Sequence, residues 1–174
     1  MSKTNPLNVL KLSQEELEKF IKIHHTIIPN RTKNFEVKDI NKRSTLPLNI
    51  HVPILDKAVS ILGSIGINNV DKNEYYIEFH QRNCGFEKKK HQWSHWHTDD
   101  HSSINSKVYS VLFYLRKDVT VKGGDLDYKI NKTIYTHKVK PGDIVQFRGD
   151  LQHMPQSTNG FGCRDLIVCF IKRT

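Results

Sequence analysis

The 174-residue chain has only three cysteines, Cys84, Cys163 and Cys169, and none belongs to a C-x-x-C pair. That shortage argues against a disulfide framework and for reduced thiols. No apolar run approaches the roughly 20 residues that a membrane-spanning helix needs. The stretch from Met1 to Lys11 is polar and lacks the apolar centre of a signal peptide. A cytoplasmic protein with no membrane partner is therefore expected. Internal repeats and low-complexity linkers are also missing, and the length suits one domain spanning 1–174. Acidic residues are scarce: 18 Asp and Glu stand against 27 Lys and Arg, a net charge of +9. Such a balance attracts polyanions. The excess comes mostly from lysine, however, in a chain also rich in isoleucine and asparagine, a mix that coding bias produces as well. The one dense cluster, Glu87-Lys88-Lys89-Lys90, reads either as a solvated loop or as a rim that draws an anionic substrate inward.

What is present divides the chain in two. Residues 1–70 read as mostly helical support. Ser13-Gln14-Glu15-Glu16 fits a capping box, and Leu17, Phe20, Ile21 and His24 follow at helical spacing until Pro29-Asn30. A second helix is expected to start near Pro53, with Ile54, Leu55, Ala58, Val59 and Leu62 as its stripe and Gly63 at its end. From residue 71 the pattern becomes strands: Tyr75–Phe79, Lys107–Leu115, Asp125–Ile130, Ile134–Val139, Ile144–Phe147 and Arg164–Lys172. The second of these is apolar on both faces, which predicts burial between layers. Short strands at regular spacing predict a mainly β fold with flanking helices (α+β), a sandwich or barrel over 71–174.

The most telling pattern is His95-Trp96-His97-Thr98-Asp99-Asp100. Side chains at i and i+2 of an extended segment leave the same face, so His97 and Asp99 are able to share one metal ion. His153, just after the Ile144–Phe147 strand, is the best-placed third ligand, and His95 is its rival by parity. Two histidines and one carboxylate on one face of an ion suit non-heme Fe(II) chemistry. The eleven residues from His153 to Arg164 allow a turn, so the last strand is expected to return antiparallel beside the one carrying His153. Arg164 then faces the same way as Leu166, Val168 and Phe170. An arginine among inward apolar residues needs an anion, and a dicarboxylate cosubstrate supplies one through paired hydrogen bonds.

His97-Thr98-Asp99, Tyr109-Ser110-Val111-Leu112-Phe113-Tyr114-Leu115, Gly123-Gly124-Asp125-Leu126, His153 and Arg164, in that order, resemble the Fe(II)/2-oxoglutarate-dependent oxygenase superfamily, in its prolyl 4-hydroxylase-like branch. The resemblance covers about residues 74–174. It implies a double-stranded β-helix, a jelly-roll barrel with helices packed outside. It implies His97, Asp99 and His153 as Fe(II) ligands, and Arg164 and Tyr114 on the distal carboxylate of 2-oxoglutarate. Ser110 and Leu112, on the strand face of Tyr114, are expected to line the same pocket. Phe170 matches a position where the family often has a bulky aromatic. The implied reaction consumes O2 and 2-oxoglutarate, releases succinate and CO2, hydroxylates a C–H bond, and brings ascorbate in as an accessory reductant. Asp99 stands where related halogenases leave room for chloride, which points to hydroxylation.

The chain departs from the family before H-x-D, where Gln92, Trp93 and Trp96 replace a glycine turn and tyrosine. Trp93 and Trp96 read either as substrate-stacking rings or as a cover on the barrel mouth. The substrate is expected to be a peptide, with proline the residue suggested by analogy, or a small molecule such as a free amino acid. A metal-binding cupin without oxygenase activity is the alternative from another class, since His95-x-His97 and Pro141-Gly142-Asp143 echo cupin motifs. Nucleic acid is not the expected partner, because the repair demethylases place a second arginine six residues after the first, where this chain has Phe170.

Overall fold

The computed structural model describes residues 6–28, 36–41, 48–84, 94–100 and 107–174. The lysine cluster at 88–90, Gln92, Trp93 and Pro29-Asn30 lie outside them. In chain order the elements are β1 (Asn8–Lys11), α1 (Gln14–Ile27), β2 (Glu36–Asn41), α2 (Leu48–Ser64), β3 (Val70–Cys84), β4 (Val108–Lys117), β5 (Lys122–Gly123), β6 (Leu126–Ile130), β7 (Thr133–His137), β8 (Asp143–Arg148), β9 (His153–Pro155), β10 (Thr158–Asn159) and β11 (Gly162–Arg173).

Six strands form one antiparallel sheet in the order β1-β8-β4-β11-β3-β2. A second sheet, β7-β6-β9, faces it, and β5 pairs with β10 at one end. This is the double-stranded β-helix expected from the sequence. Alternation along the strands explains why both faces of the large sheet are apolar. Val111, Phe113 and Leu115 of β4, with Ile167, Cys169 and Ile171 of β11, join a core with Phe20 of α1 and Ile54, Ala58 and Leu62 of α2. Leu112 and Tyr114 of β4, with Leu166 and Val168 of β11, point the other way and meet Leu126, Val145 and Phe147 between the sheets. The helices thus brace the outer face, and the inner face is left for a site.

Helix α1 begins as its sequence dictates. Ser13 Oγ accepts from the Glu16 backbone N–H and the Glu16 carboxylate accepts from the Ser13 N–H, a complete capping box worth about 1 kcal/mol. Its His24 is fully buried, and Nε2 donates to the His80 carbonyl at 2.8 Å. Helix α2 starts at Leu48, earlier than its stripe predicts, so Pro53 lies inside it rather than at its start. There it lacks the N–H that would bond back one turn.

Residues 1–70, which the sequence marks as mostly helical, also contribute two strands. β1 and β2 occupy the two edges of the large sheet. The last strand also differs from its expected place. β11 lies between β4 and β3, whereas His153 opens β9, which pairs with β6 in the other sheet. The turn after β8 carries the chain from one sheet to the other, so His153 and Arg164 approach the interior from opposite walls. Among the described residues, no helix is long and apolar enough to cross a membrane.

Candidate metal centre and anion pocket

His97 and His153 are joined by a single antiparallel bridge: each backbone N–H donates to the other's carbonyl at 2.9 Å. The Asp99 N–H donates to the Gly149 carbonyl at 2.9 Å, which ties the H-x-D segment to the turn before β9. These backbone bonds bring three side chains to one point. One ligand atom from each of His97, Asp99 and His153 lies within 4.8 Å of the others. His97 Nε2 is 3.7 Å and His153 Nε2 3.6 Å from Asp99 Oδ1.

The surrounding hydrogen bonds leave each of the three side chains able to take a cation. His97 Nδ1 donates to the His95 carbonyl at 2.9 Å and His153 Nδ1 donates to the Leu151 carbonyl at 3.0 Å. With the proton on Nδ1, each Nε2 keeps its lone pair for a metal. Burial holds the His97 imidazole below its ordinary pKa, and the neighbouring His153 lowers it further. A neutral, metal-ready ring is the result. Ser110 Oγ donates to Asp99 Oδ2 at 2.5 Å, leaving Oδ1 aimed between the histidines. A donor set of two imidazole nitrogens and one carboxylate oxygen fits Fe(II).

The three residues stand on the wall of a cavity of about 620 Å³. Leu112, Leu166, Val168 and Phe170 line its apolar side, and Tyr114 and Arg164 line its far end. Arg164 is 1% exposed and donates through Nη1 to the Gly124 carbonyl. Its guanidinium carbon is 5.7 Å from the centre of the Tyr114 ring. Burial drives the Tyr114 phenol up to about 12, against the pull of Arg164 and Arg82. Tyr114 therefore keeps its proton and offers a donor beside a buried cation. A metal triad, an apolar middle and an arginine–tyrosine end match a cosubstrate with a chelating head and an anionic tail.

His97, Asp99 and His153 converge, and Leu112, Tyr114 and Arg164 share one cavity. Ser110 is a correction. Its inward parity is right, but it is fully buried behind Asp99 rather than lining the cavity. His95 lines the cavity with its ring centre 5.3 Å from that of His97, outside the triad. Trp96 is off the cavity wall and carries Lys129 Nζ over its ring at 4.0 Å. Sequence reasoning missed the β3 wall: Tyr76, Glu78, His80 and Arg82 all face the cavity. Their i, i+2 spacing was the available signal.

No family model matches the chain, and no curated protein matches it. Solved structures do. One is a 2OG-Fe(II) oxygenase family oxidoreductase from Burkholderia pseudomallei, at TM-score 0.69 and 15% identity, covering 97% of this chain and 85% of that one. Another is the viral collagen prolyl hydroxylase of Paramecium bursaria Chlorella virus-1 as its 2OG complex, at TM-score 0.62 and 17% identity, covering 98% and 97%. A third is a Trichoplax adhaerens prolyl hydroxylase in complex with a hypoxia inducible factor peptide fragment, at TM-score 0.61 and 12% identity, covering 98% and 84%. The chain thus has the double-stranded β-helix fold that these prolyl hydroxylases and 2OG-Fe(II) oxygenases share, over nearly its whole length.

Proposed function

We propose that this protein is an Fe(II)- and 2-oxoglutarate-dependent dioxygenase that hydroxylates a substrate C–H bond. The observation that carries the reading is the pairing, in one cavity, of a His97-Asp99-His153 triad with a buried arginine–tyrosine end. A cupin that only binds metal has no use for the second feature. His97 and His153 would hold the iron through Nε2 and Asp99 through Oδ1. Bound there, the metal supplies the redox chemistry that couples oxidation of 2-oxoglutarate to succinate and CO2 with hydroxylation.

The remaining work belongs to the chain's own groups. Asp99 offsets part of the metal's charge, and Ser110 fixes which carboxylate oxygen faces it. Arg164 and Tyr114 bind the distal carboxylate, with the guanidinium supplying charge and the phenol a hydrogen bond. Leu112, Leu166 and Val168 keep water from the space between, where electrostatic interactions are strongest. Ascorbate enters the proposal as a reductant that keeps the metal ferrous.

A peptide is the first substrate class to test, with proline as the hydroxylated residue, because prolyl hydroxylases share the fold. A small molecule such as a free amino acid is the second. It is favoured by the hydrogen-bonded Glu78–His80 pair on the cavity wall, 2.6 Å apart, which suits a compact polar substrate. Succinate release, measured across proline-rich peptides, free amino acids and oligonucleotides with and without ascorbate, tests the reading. Succinate formed only with Fe(II) and 2-oxoglutarate, and stimulated by one substrate class, is the expected result. No release under any of these conditions counts against it.

A further inference from the structure

The register of β3 against β11 brings a second arginine to the far end of the cavity. Arg82 is the direct cross-strand partner of Arg164, and both line the cavity. They are 2% and 1% exposed. Like charges placed directly opposite on a sheet repel, and each buried cation is costly unless dipoles or an anion answer it. Main-chain dipoles answer part of the charge: Arg164 Nη1 donates to the Gly124 carbonyl, and Arg82 Nη1 donates to the Gln156 carbonyl at 3.3 Å. The carboxylate adjacent in sequence, Asp165, lies on the other face of β11, where Gln81 Nε2 at 3.2 Å and Arg116 Nη2 at 3.1 Å engage it. Both cavity arginines act electrostatically on the Tyr114 hydroxyl and on His80, so their fields overlap inside the cavity. Two cations facing one another across neighbouring strands, beside a cavity, suit an anion that bridges them.

Resting on the reading of this site as a 2-oxoglutarate pocket, we propose that Arg82 is a second anchor for the distal carboxylate of the cosubstrate. That carboxylate is then gripped by a two-arginine clamp with Tyr114 beside it. A carboxylate has two oxygens and about four lone-pair sites, enough for both guanidiniums and a phenol. The clamp makes the enzyme strict for dicarboxylic 2-oxo acids, because an acid without the distal group forgoes the charge-assisted hydrogen bonds to both guanidiniums.

Calorimetry of the full chain loaded with Zn(II) in place of iron, titrated with 2-oxoglutarate and separately with 2-oxobutyrate, tests this without turnover. Arg82→Gln is expected to weaken 2-oxoglutarate binding at least about tenfold while leaving Zn(II) and 2-oxobutyrate binding unchanged. Arg82→Lys, which keeps the charge and loses the fork, is expected to recover part of the loss. Equal 2-oxoglutarate affinity in wild type and Arg82→Gln overturns the clamp, and so does an equal loss for both acids. Should Arg82→Gln fail to fold, the unmodified Zn(II)-loaded protein decides the matter. Nitrogen-15 spectra are expected to show two arginine Nε–Hε signals moving with 2-oxoglutarate and staying fixed with 2-oxobutyrate, and movement of only one overturns the clamp. Wild-type protein that binds neither acid overturns the cosubstrate reading itself, a result distinct from wild type that binds 2-oxoglutarate no better than the variant.

Discussion

Ser110 Oγ and Asp99 Oδ2 are 2.5 Å apart, and the other oxygen of the same carboxylate faces His97 and His153. A fully buried hydroxyl on β4 thus orients a side chain on the H-x-D segment. Groups that orient metal ligands in this way typically change metal affinity about 10- to 100-fold when removed. Ser110→Ala is therefore expected to weaken Fe(II) binding within that range, with little change in circular dichroism. An anaerobic metal titration checks it, and unchanged affinity would show that Asp99 is held by other means.

Gly124 controls the other end of the cavity. Its φ is +74°, a conformation that L side chains rarely adopt, and a Cβ there would lie 2.7 Å from Thr158 Cγ2 and 3.1 Å from Arg164 Nη1. Gly124→Ala is expected to cost about 1–3 kcal/mol of stability through backbone strain. It also pushes Arg164 off its carbonyl partner, so 2-oxoglutarate binding should weaken while Fe(II) binding is retained. Urea denaturation and metal-loaded calorimetry read the two effects separately.

Arg164→Ala removes the guanidinium proposed to answer the distal carboxylate. We expect the 2-oxoglutarate concentration needed for half-maximal succinate release to rise at least about tenfold. The rate at saturating 2-oxoglutarate should fall much less. A variant with unaltered 2-oxoglutarate dependence would remove Arg164 from the pocket.

Burial holds the imidazoles of His24, His80 and His97 below their ordinary value of 6.5. Below that value the unfolded chain binds more protons than the folded one, so stability rises with pH in this range. The contribution is complete above the ordinary histidine value and is lost as pH falls toward the lowered folded-state values. The metal-free protein should therefore melt at lower temperature as pH drops below 6.5, with these groups adding no slope above it. Thermal melts across that range check the sign, and a melting temperature that climbs on acidification would contradict it.

The site was legible in the sequence where it depends on local parity. His97 and Asp99 share a face because they are two residues apart on an extended segment, and Leu112, Tyr114, Leu166 and Val168 follow the same rule along β4 and β11. Parity says which way a side chain points but not what it meets. Ser110 is inward as expected, yet its hydroxyl ends on Asp99 rather than on the cavity. The i, i+2 spacing from Tyr76 puts Arg82 on one face of its strand, but its pairing with Arg164, 82 residues away, depends on a register that no local pattern encodes. β1 (Asn-Val-Leu-Lys) and β2 (Glu-Val-Lys-Asp-Ile-Asn) carry no strand signal of their own, because short, largely polar segments become strands only when a sheet edge is there to receive them. The same dependence on long-range pairing places β9 in the smaller sheet, where His153 still lies beside His97 and Asp99.

Whether His97, Asp99 and His153 hold a ferrous ion that 2-oxoglutarate chelates is read by anaerobic absorption spectroscopy. Adding 2-oxoglutarate to the Fe(II)-loaded protein should produce a visible metal-to-ligand charge-transfer band, absent in Asp99→Ala and in His153→Ala. A wild-type protein that binds Fe(II) but develops no such band, or an Asp99→Ala variant that keeps it, would rule out this triad as the iron site.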